Sequence, residues 1–171
     1  RRPPPPSCSS REKEEGVALP ARNRPAAMNA LSLARGSALA RAFRELADDP
    51  AVGAVIPTGP GRAFCAGVEL EELGVGERAQ AGGPAAILRA DDTIRAVSDC
   101  PVPLIGAINR FAITGGCELA LACDFPIASS EARFADTHAR AGIVPGWGIS
   151  QILPRWIGPG RARELAFTDN F

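Results

Sequence analysis

The sequence has only one histidine, His138, only one lysine, Lys13, and five cysteines that form no C-x-x-C pair. A lone histidine and unpaired thiols argue against the Cys/His spacings of a zinc site, and an odd number of cysteines argues against a disulfide framework. No apolar run approaches the roughly 20 residues that a membrane-crossing helix requires. Nineteen basic residues balance nineteen acidic ones, so no cationic field exists to draw in nucleic acid or an anionic membrane surface. What remains is a chain of 171 residues, 46% of them hydrophobic, long enough for one domain with its own core.

Residues 1–16 start with Arg-Arg and four consecutive prolines and continue into a charged Arg-Glu-Lys-Glu-Glu stretch. Such a segment cannot bury enough apolar area to offset ordering and is expected to be a disordered tail. Its glutamates also make it a poor targeting leader. The core domain is expected over residues 17–171. A strand is expected over Val17 to Arg22, confined to an edge or a bulge by Pro20. Ser32 is placed to cap a helix whose Leu39, Ala42, Phe43 and Leu46 recur at i, i+3, i+4, i+7, ending near Asp48-Asp49-Pro50. Val52 to Ile56 reads as a buried strand stopped by Pro57. Gly74 to Gly83 reads as a surface segment. Pro84 opens a helix carrying Ile87, Ala90, Ile94 and Val97 on one face. Val102 to Ile108 reads as a strand, and Thr114-Gly115-Gly116 as a turn into a helix through Cys123. A short strand around Phe125 to Ala128, a Gly/Pro-rich loop at Gly142 to Gly148 and two short helices divided near Pro154 and Gly158 complete an α/β pattern.

The turn at Gly115 leaves the first amide N–H groups of its helix without internal partners. With a second N–H from the Gly67-Val68 loop, it could hold a developing oxyanion. Each turn is equally an ordinary chain reversal when taken alone. Glu118 falls in the first turn of the helix, where the dipole also favours a carboxylate without any function. Its apolar neighbours Cys117, Leu119, Ala120 and Leu121 suit a group used for proton transfer. His138 has the one side chain here whose unperturbed titration lies near neutrality. Asp136 and Arg140 are close enough in sequence to pair with it or with each other.

Several stretches, in order, resemble the crotonase, or enoyl-CoA hydratase/isomerase, superfamily over nearly all of Val17 to Phe171. They are Asn23-Arg24-Pro25 with Asn29-Ala30-Leu31, Thr58-Gly59 with Gly61-Arg62-Ala63-Phe64-Cys65-Ala66-Gly67, and Gly115-Gly116-Cys117-Glu118-Leu119-Ala120-Leu121-Ala122-Cys123-Asp124. The stretch Phe134 to Arg140, with Pro145-Gly146-Trp147-Gly148, looks most like a hydratase branch that includes plant peroxisomal enzymes. The resemblance implies an α/β fold built as a spiral of ββα repeats. It implies an oxyanion hole from the N–H groups of Val68 and Gly115, and an acyl-CoA thioester lying against Ala66, Gly67, Glu69, Leu70, Glu71 and Gly116. Glu118 matches the first of two glutamates that the family uses to add water across the 2,3 double bond, and His138 occupies the position of the second. Glu118 and His138 are therefore the expected catalytic pair.

By the same resemblance no redox cofactor or metal is implied, and coenzyme A enters only as part of the substrate. The branch points to the peroxisome, with mitochondrion and cytosol as alternatives. Family members continue beyond the equivalent of Phe171 with helical sequence that completes the acyl pocket and packs homotrimers or hexamers, so this chain is expected to lack the C-terminal trimerisation region. A double-bond isomerase using Glu118 alone, or a catalytically incomplete acyl-CoA-binding fragment, are the other readings. Pro20, Pro57 and Arg110 depart from the family pattern where packing or pairing is expected.

Overall fold

The computed structural model describes residues 11–21, 23–69 and 92–171. The proline run, the segment expected at Gly74 to Gly83 and the start of the helix expected at Pro84 lie outside the described residues.

Three successive pairs of strands build the centre of the fold. They are β3 (Ala54–Val55) with β4 (Ala63–Cys65), β5 (Ile105–Ile108) with β6 (Phe111–Ile113), and β7 (Phe125–Ala128) with β8 (Arg133–Ala135). The first strand of each pair joins one layer, since β5 and β7 are parallel and a bridge from Val55 to Leu104 ties β3 to the entry of β5. The second strand joins another layer in the parallel order β4-β6-β8. Each pair is followed in the chain by a helix: α2 (Thr93–Ser98), α3 (Gly115–Leu121) and α4 (His138–Ala141). This is the expected spiral of ββα turns. Two further helices, α5 (Ile149–Ile157) and α6 (Pro159–Thr168), follow the last turn.

Ahead of the spiral, β1 (Arg11–Glu14) runs antiparallel to β2 (Val17–Pro20), and β2 runs parallel to β3. Two expectations are corrected here. Order begins by Arg11, within the segment 1–16 expected as a disordered tail, and β2 is the middle strand of its sheet rather than an edge. Pro20 is tolerated because it is the last residue of β2. Ile56 N–H still donates to Ala18 O at 2.8 Å and Thr58 N–H to Pro20 O at 3.3 Å, so the ladder loses only the bond that a residue with an N–H at position 20 would add. The strand expected over Val52 to Ile56 shortens to two residues for the same reason. Pro57 is also absorbed, its carbonyl accepting from Ala107 N–H at 3.0 Å.

The helix expected after Ser32 is α1 (Leu33–Ala47), with Leu39, Ala42, Phe43 and Leu46 all buried. Ser32 occupies the N-cap position through its extended backbone, without a side-chain cap bond. Leu39, Phe43 and Leu46 join Val55, Phe64, Val97, Leu104, Ile108 and Leu119 in the main core. Each such side chain stabilises the fold by about 1.5–3 kcal/mol on full burial. A second apolar cluster joins Cys117, Leu121, Ile149, Leu153 and Ala162 beneath α5 and α6. Those helices divide at Gly158 alone, Pro154 lying inside α5.

The two clusters meet at α3, every residue of which is buried. Its entry is fixed by close backbone contact, since a Cβ on Gly116 would sit 1.9 Å from the Cys65 carbonyl oxygen. Only glycine permits that approach. A second fastening comes from Asn29, which has a positive φ of 56° and is 1% exposed. Its side-chain amide donates to Pro60 O at 2.9 Å and Ala63 O at 2.7 Å and accepts from Arg24 N–H at 2.9 Å. Asn29→Ala should strand those buried groups and strain the backbone. We expect at least about 2 kcal/mol of destabilisation, read as a lower urea midpoint at unchanged m-value; a midpoint within error of the parent would show that the clip is dispensable.

Candidate active site

The helix α3 carries one charged side chain, Glu118, 2% exposed between the two apolar clusters. A buried carboxylate costs several kcal/mol unless it is paired and hydrogen-bonded. Glu118 Oε1 accepts from Trp147 N–H at 2.9 Å and Ile149 N–H at 3.2 Å, where the loop from Gly142 turns into α5. Its other oxygen, Oε2, lies 3.6 Å from His138 Nε2. That separation is longer than a direct hydrogen bond and leaves both atoms able to share one small molecule lying beside them.

His138 is also buried, at the start of α4. Asp136 Oδ1 accepts from its backbone N–H at 3.2 Å and contacts its ring Nδ1 at 2.6 Å. Of the two partners the sequence offered, the structure chooses Asp136; Arg140 is exposed. Burial alone would lower the histidine pKa. The hydrogen bond with Asp136, the close approach of Glu118 and the charges of both outweigh it and raise the pKa from 6.5 to about 9. Asp136 moves the other way. Burial pushes its carboxyl up, but the His138 ring and backbone bonds and the imidazolium charge hold it below its usual value. Cys117, buried behind both carboxylates, is pushed up to about 12 and stays a neutral thiol.

Two backbone segments, 66–69 and the start of α3, line the same cleft as Glu118. The segment 66–69 is clamped to the 24–31 loop: Ala66 N–H donates to Met28 O, Leu31 N–H to Gly67 O, and Glu69 N–H to Leu31 O. Because consecutive amides of an extended segment point in opposite directions, the Val68 N–H points away from Leu31. Thr114, at the N-cap of α3, has φ 53° and ψ −115°, a costly conformation for a β-branched residue. It is held by its own N–H to Ala135 O at 2.8 Å, by a hydroxyl contact with Thr137, and by its carbonyl accepting from Glu118 N–H. This conformation sets the direction of the following peptide, whose N–H is that of Gly115. Gly67 and Gly115 pack backbone to backbone, so a Cβ on Gly67 would be 3.1 Å from Gly115 N.

Ala66, Val68, Thr114, Gly115, Glu118 and His138 line one cleft of about 100 Å3. The structure therefore brings Glu118, His138, Val68 and Gly115 to one cleft. Of the expected substrate contacts, Ala66 lines the cleft and Gly67 lies directly behind it. Glu69 makes an ion pair with Arg24. Leu70 and Glu71 lie outside the described residues. Gly116 is not among the residues lining the cleft, and its Cα packs against the Cys65 carbonyl. Trp147, Thr114 and Thr137 also border the cleft and were missed. For Trp147 the only available signal was the Gly/Pro-rich loop around it; nothing in the local sequence marks the backbone of Thr114. Among the described residues, no three His, Cys, Asp or Glu side chains are grouped to hold a metal ion, and no helix is long and apolar enough to cross a membrane.

Comparison with known proteins places this geometry among relatives. The family model for enoyl-CoA hydratase/isomerase matches residues 12–170. A probable peroxisomal enoyl-CoA hydratase 1 of Arabidopsis thaliana is 44% identical over 92% of this chain and 58% of its own length. A crotonyl-CoA hydratase of Syntrophomonas wolfei is 40% identical over 92% of this chain and 60% of its own length. The chain thus spans about 60% of the length of the curated relatives it matches. Among solved structures, an enoyl-CoA hydratase subunit I from Geobacillus kaustophilus superposes with a TM-score of 0.83 at 33% identity, covering 92% of this chain and 60% of that one. One from Mycobacterium avium gives 0.76 at 42% identity, over 93% and 63%.

The raised histidine pKa has a directional consequence for stability. A group whose folded pKa lies above its unfolded value stabilises the fold fully below the unfolded pKa, here 6.5, and loses that contribution as pH rises through about 9. The urea midpoint should therefore fall between pH 6.5 and 9. The sole histidine gives a single assignable Cε1–H proton resonance, which should titrate near 9; a midpoint below 7 would contradict the buried pairing.

Proposed function

The chain belongs to the enoyl-CoA hydratase/isomerase family, and from that premise we propose that it adds water to a 2-trans-enoyl-CoA, giving the 3-hydroxyacyl-CoA, in fatty-acid β-oxidation or related acyl-CoA breakdown. The observation that carries this reading is the 3.6 Å gap between Glu118 Oε2 and His138 Nε2 inside a cleft that also holds two backbone N–H donors. A water beside the pair, within reach of both atoms, can give a hydrogen bond to Oε2 and accept one from Nε2–H. The thioester oxygen sits between the N–H groups of Val68 and Gly115, which act as the oxyanion hole.

The reaction then runs with defined bookkeeping of atoms. The water oxygen bonds to C3 as Glu118 Oε2 takes its proton. The electrons of the 2,3 double bond move toward the carbonyl, and the enolate oxygen is stabilised by the two N–H groups, each worth roughly 3–4 kcal/mol of barrier. His138 Nε2–H protonates C2. The proton left on Glu118 returns across the gap to His138, and both groups regain their starting states. Glu118 Oε1 stays bound to the Trp147 and Ile149 amides throughout, so only Oε2 takes part.

Coenzyme A enters as part of the substrate, and no metal or redox cofactor is required. The name of the Arabidopsis relative supports a peroxisomal location. Trimeric or hexameric assembly is part of the same proposal. Phe125 and Ile127, half or more exposed on β7, support it because apolar side chains on an outer strand are what association covers.

The test is loss of the 2-enoyl thioester absorbance when crotonyl-CoA is mixed with the purified chain. Glu118→Gln should lower kcat by 10²-fold or more, in the range expected of a general base, while acyl-CoA binding is retained. Undiminished turnover in Glu118→Gln would remove Glu118 from the mechanism. A folded parent that leaves crotonyl-CoA untouched but converts a 3-enoyl thioester would make the chain an isomerase, and one that binds acyl-CoA without converting either would make it a binding fragment.

A further inference from the structure

Asp136 has no part in the steps above, yet it is buried to 5% exposure directly behind His138. It directly follows β8, two residues before the histidine, and one of its oxygens meets both the His138 backbone N–H and ring Nδ1. Fixing backbone and ring through one acceptor leaves the imidazole little freedom to swing or flip. Nδ1 is committed to the carboxylate, so Nε2 is the nitrogen that faces Glu118.

We propose that Asp136 is a positioning residue that keeps His138 charged as the proton donor to C2 and aims its Nε2–H at the reacting atoms. The inference rests on the hydratase reading and extends it from two groups to three. The charged and titratable groups around the imidazole are Asp136 from the β8 end and Glu118 from α3, with the neutral Cys117 thiol behind them. Arg140 on α4 is exposed, and Arg163 lines a groove between α5 and α6 that Asp136 also lines, without an ion pair to it. His138 is thus the cation against which the buried Asp136 carboxylate is set. With a carboxylate on each side, the imidazolium is favoured over the neutral ring, and loss of its proton to C2 is followed by reloading from Glu118.

A purely structural Asp would need only an oxygen to cap the His138 backbone N–H, and Asn supplies that oxygen as well. Asp136→Asn therefore separates the two roles. The His138 titration midpoint should fall by at least about one pH unit on losing an adjacent buried charge. The alkaline limb of the kcat–pH profile for crotonyl-CoA should move with it, with kcat falling by about 2-fold at pH 8 and approaching 10-fold above about pH 9.5, and KM changed less than 3-fold. An unmoved midpoint and limb would overturn the proposal.

A measurement on the parent alone covers the case in which the variant does not fold. Above the midpoint, 15N chemical shifts should show the neutral ring protonated at Nδ1, and a ring protonated at Nε2 would overturn the proposal equally. These resonance readouts do not depend on turnover. A parent that shows both of them but hydrates nothing would sink the hydratase reading while leaving the Asp136–His138 pairing intact.

Discussion

Everything around the cleft follows from one charge placed where charges are costly. Glu118 sits midway along a helix whose other residues fill two apolar clusters, so its carboxylate cannot reach water in the way a surface glutamate does. It has to be met by donors, and the fold supplies them from distant parts of the chain. The loop before α5 brings two backbone amides to Oε1, and α4 brings the His138 ring towards Oε2. Removing either would leave a buried charge short of partners, at a cost of the order of 3–5 kcal/mol. The path of residues 136–149 is therefore constrained by the same carboxylate that it serves.

A second constraint acts on the opposite wall. The N-terminus of α3 can approach β4 only because Gly116 lacks a side chain, and Gly67 and Gly115 then meet backbone to backbone. This contact brings two backbone segments, 66–69 and the start of α3, together without any side chain to hold them. The 24–31 loop fastens the first through a series of hydrogen bonds, and the strained Thr114 directs the second. Backbone strain of about 1–3 kcal/mol persists there because three bonds to Thr114 and its neighbours over-determine the turn.

What the sequence disclosed follows the range over which each feature is determined. The helix α1 was legible because Leu39, Ala42, Phe43 and Leu46 carry its period locally, and α3 because a glycine pair precedes an apolar run. The juxtaposition of Glu118 and His138 followed from family resemblance, not from spacing. The strand β1 was missed because its Arg-Glu-Lys-Glu sequence has no apolar alternation; its order comes from pairing with β2, and charged residues are common on edge strands. The length of β3 was misjudged because it is set by Pro20 and by the bridge to Leu104, neither of which is local. Trp147 was missed because its contribution to Glu118 is a backbone N–H, which any residue other than proline could provide.

The histidine opposite Glu118 changes the proton inventory of the proposed site. Two carboxylates facing one water repel each other unless they share a proton, so one of them must be held neutral by its surroundings. A carboxylate facing an imidazolium has no such conflict, because opposite charges on the two sides of the water stabilise the arrangement before substrate arrives. The difficulty moves instead to the histidine, which must stay charged although buried and must present the correct nitrogen. An ordinary imidazole in that position would lose its proton to desolvation and rotate freely. The Asp136 carboxylate, hydrogen-bonded to both the backbone and Nδ1 of His138, opposes both tendencies. In the proposed mechanism, the Asp-Thr-His spacing at 136–138 is therefore what lets a buried histidine serve as the proton donor opposite Glu118.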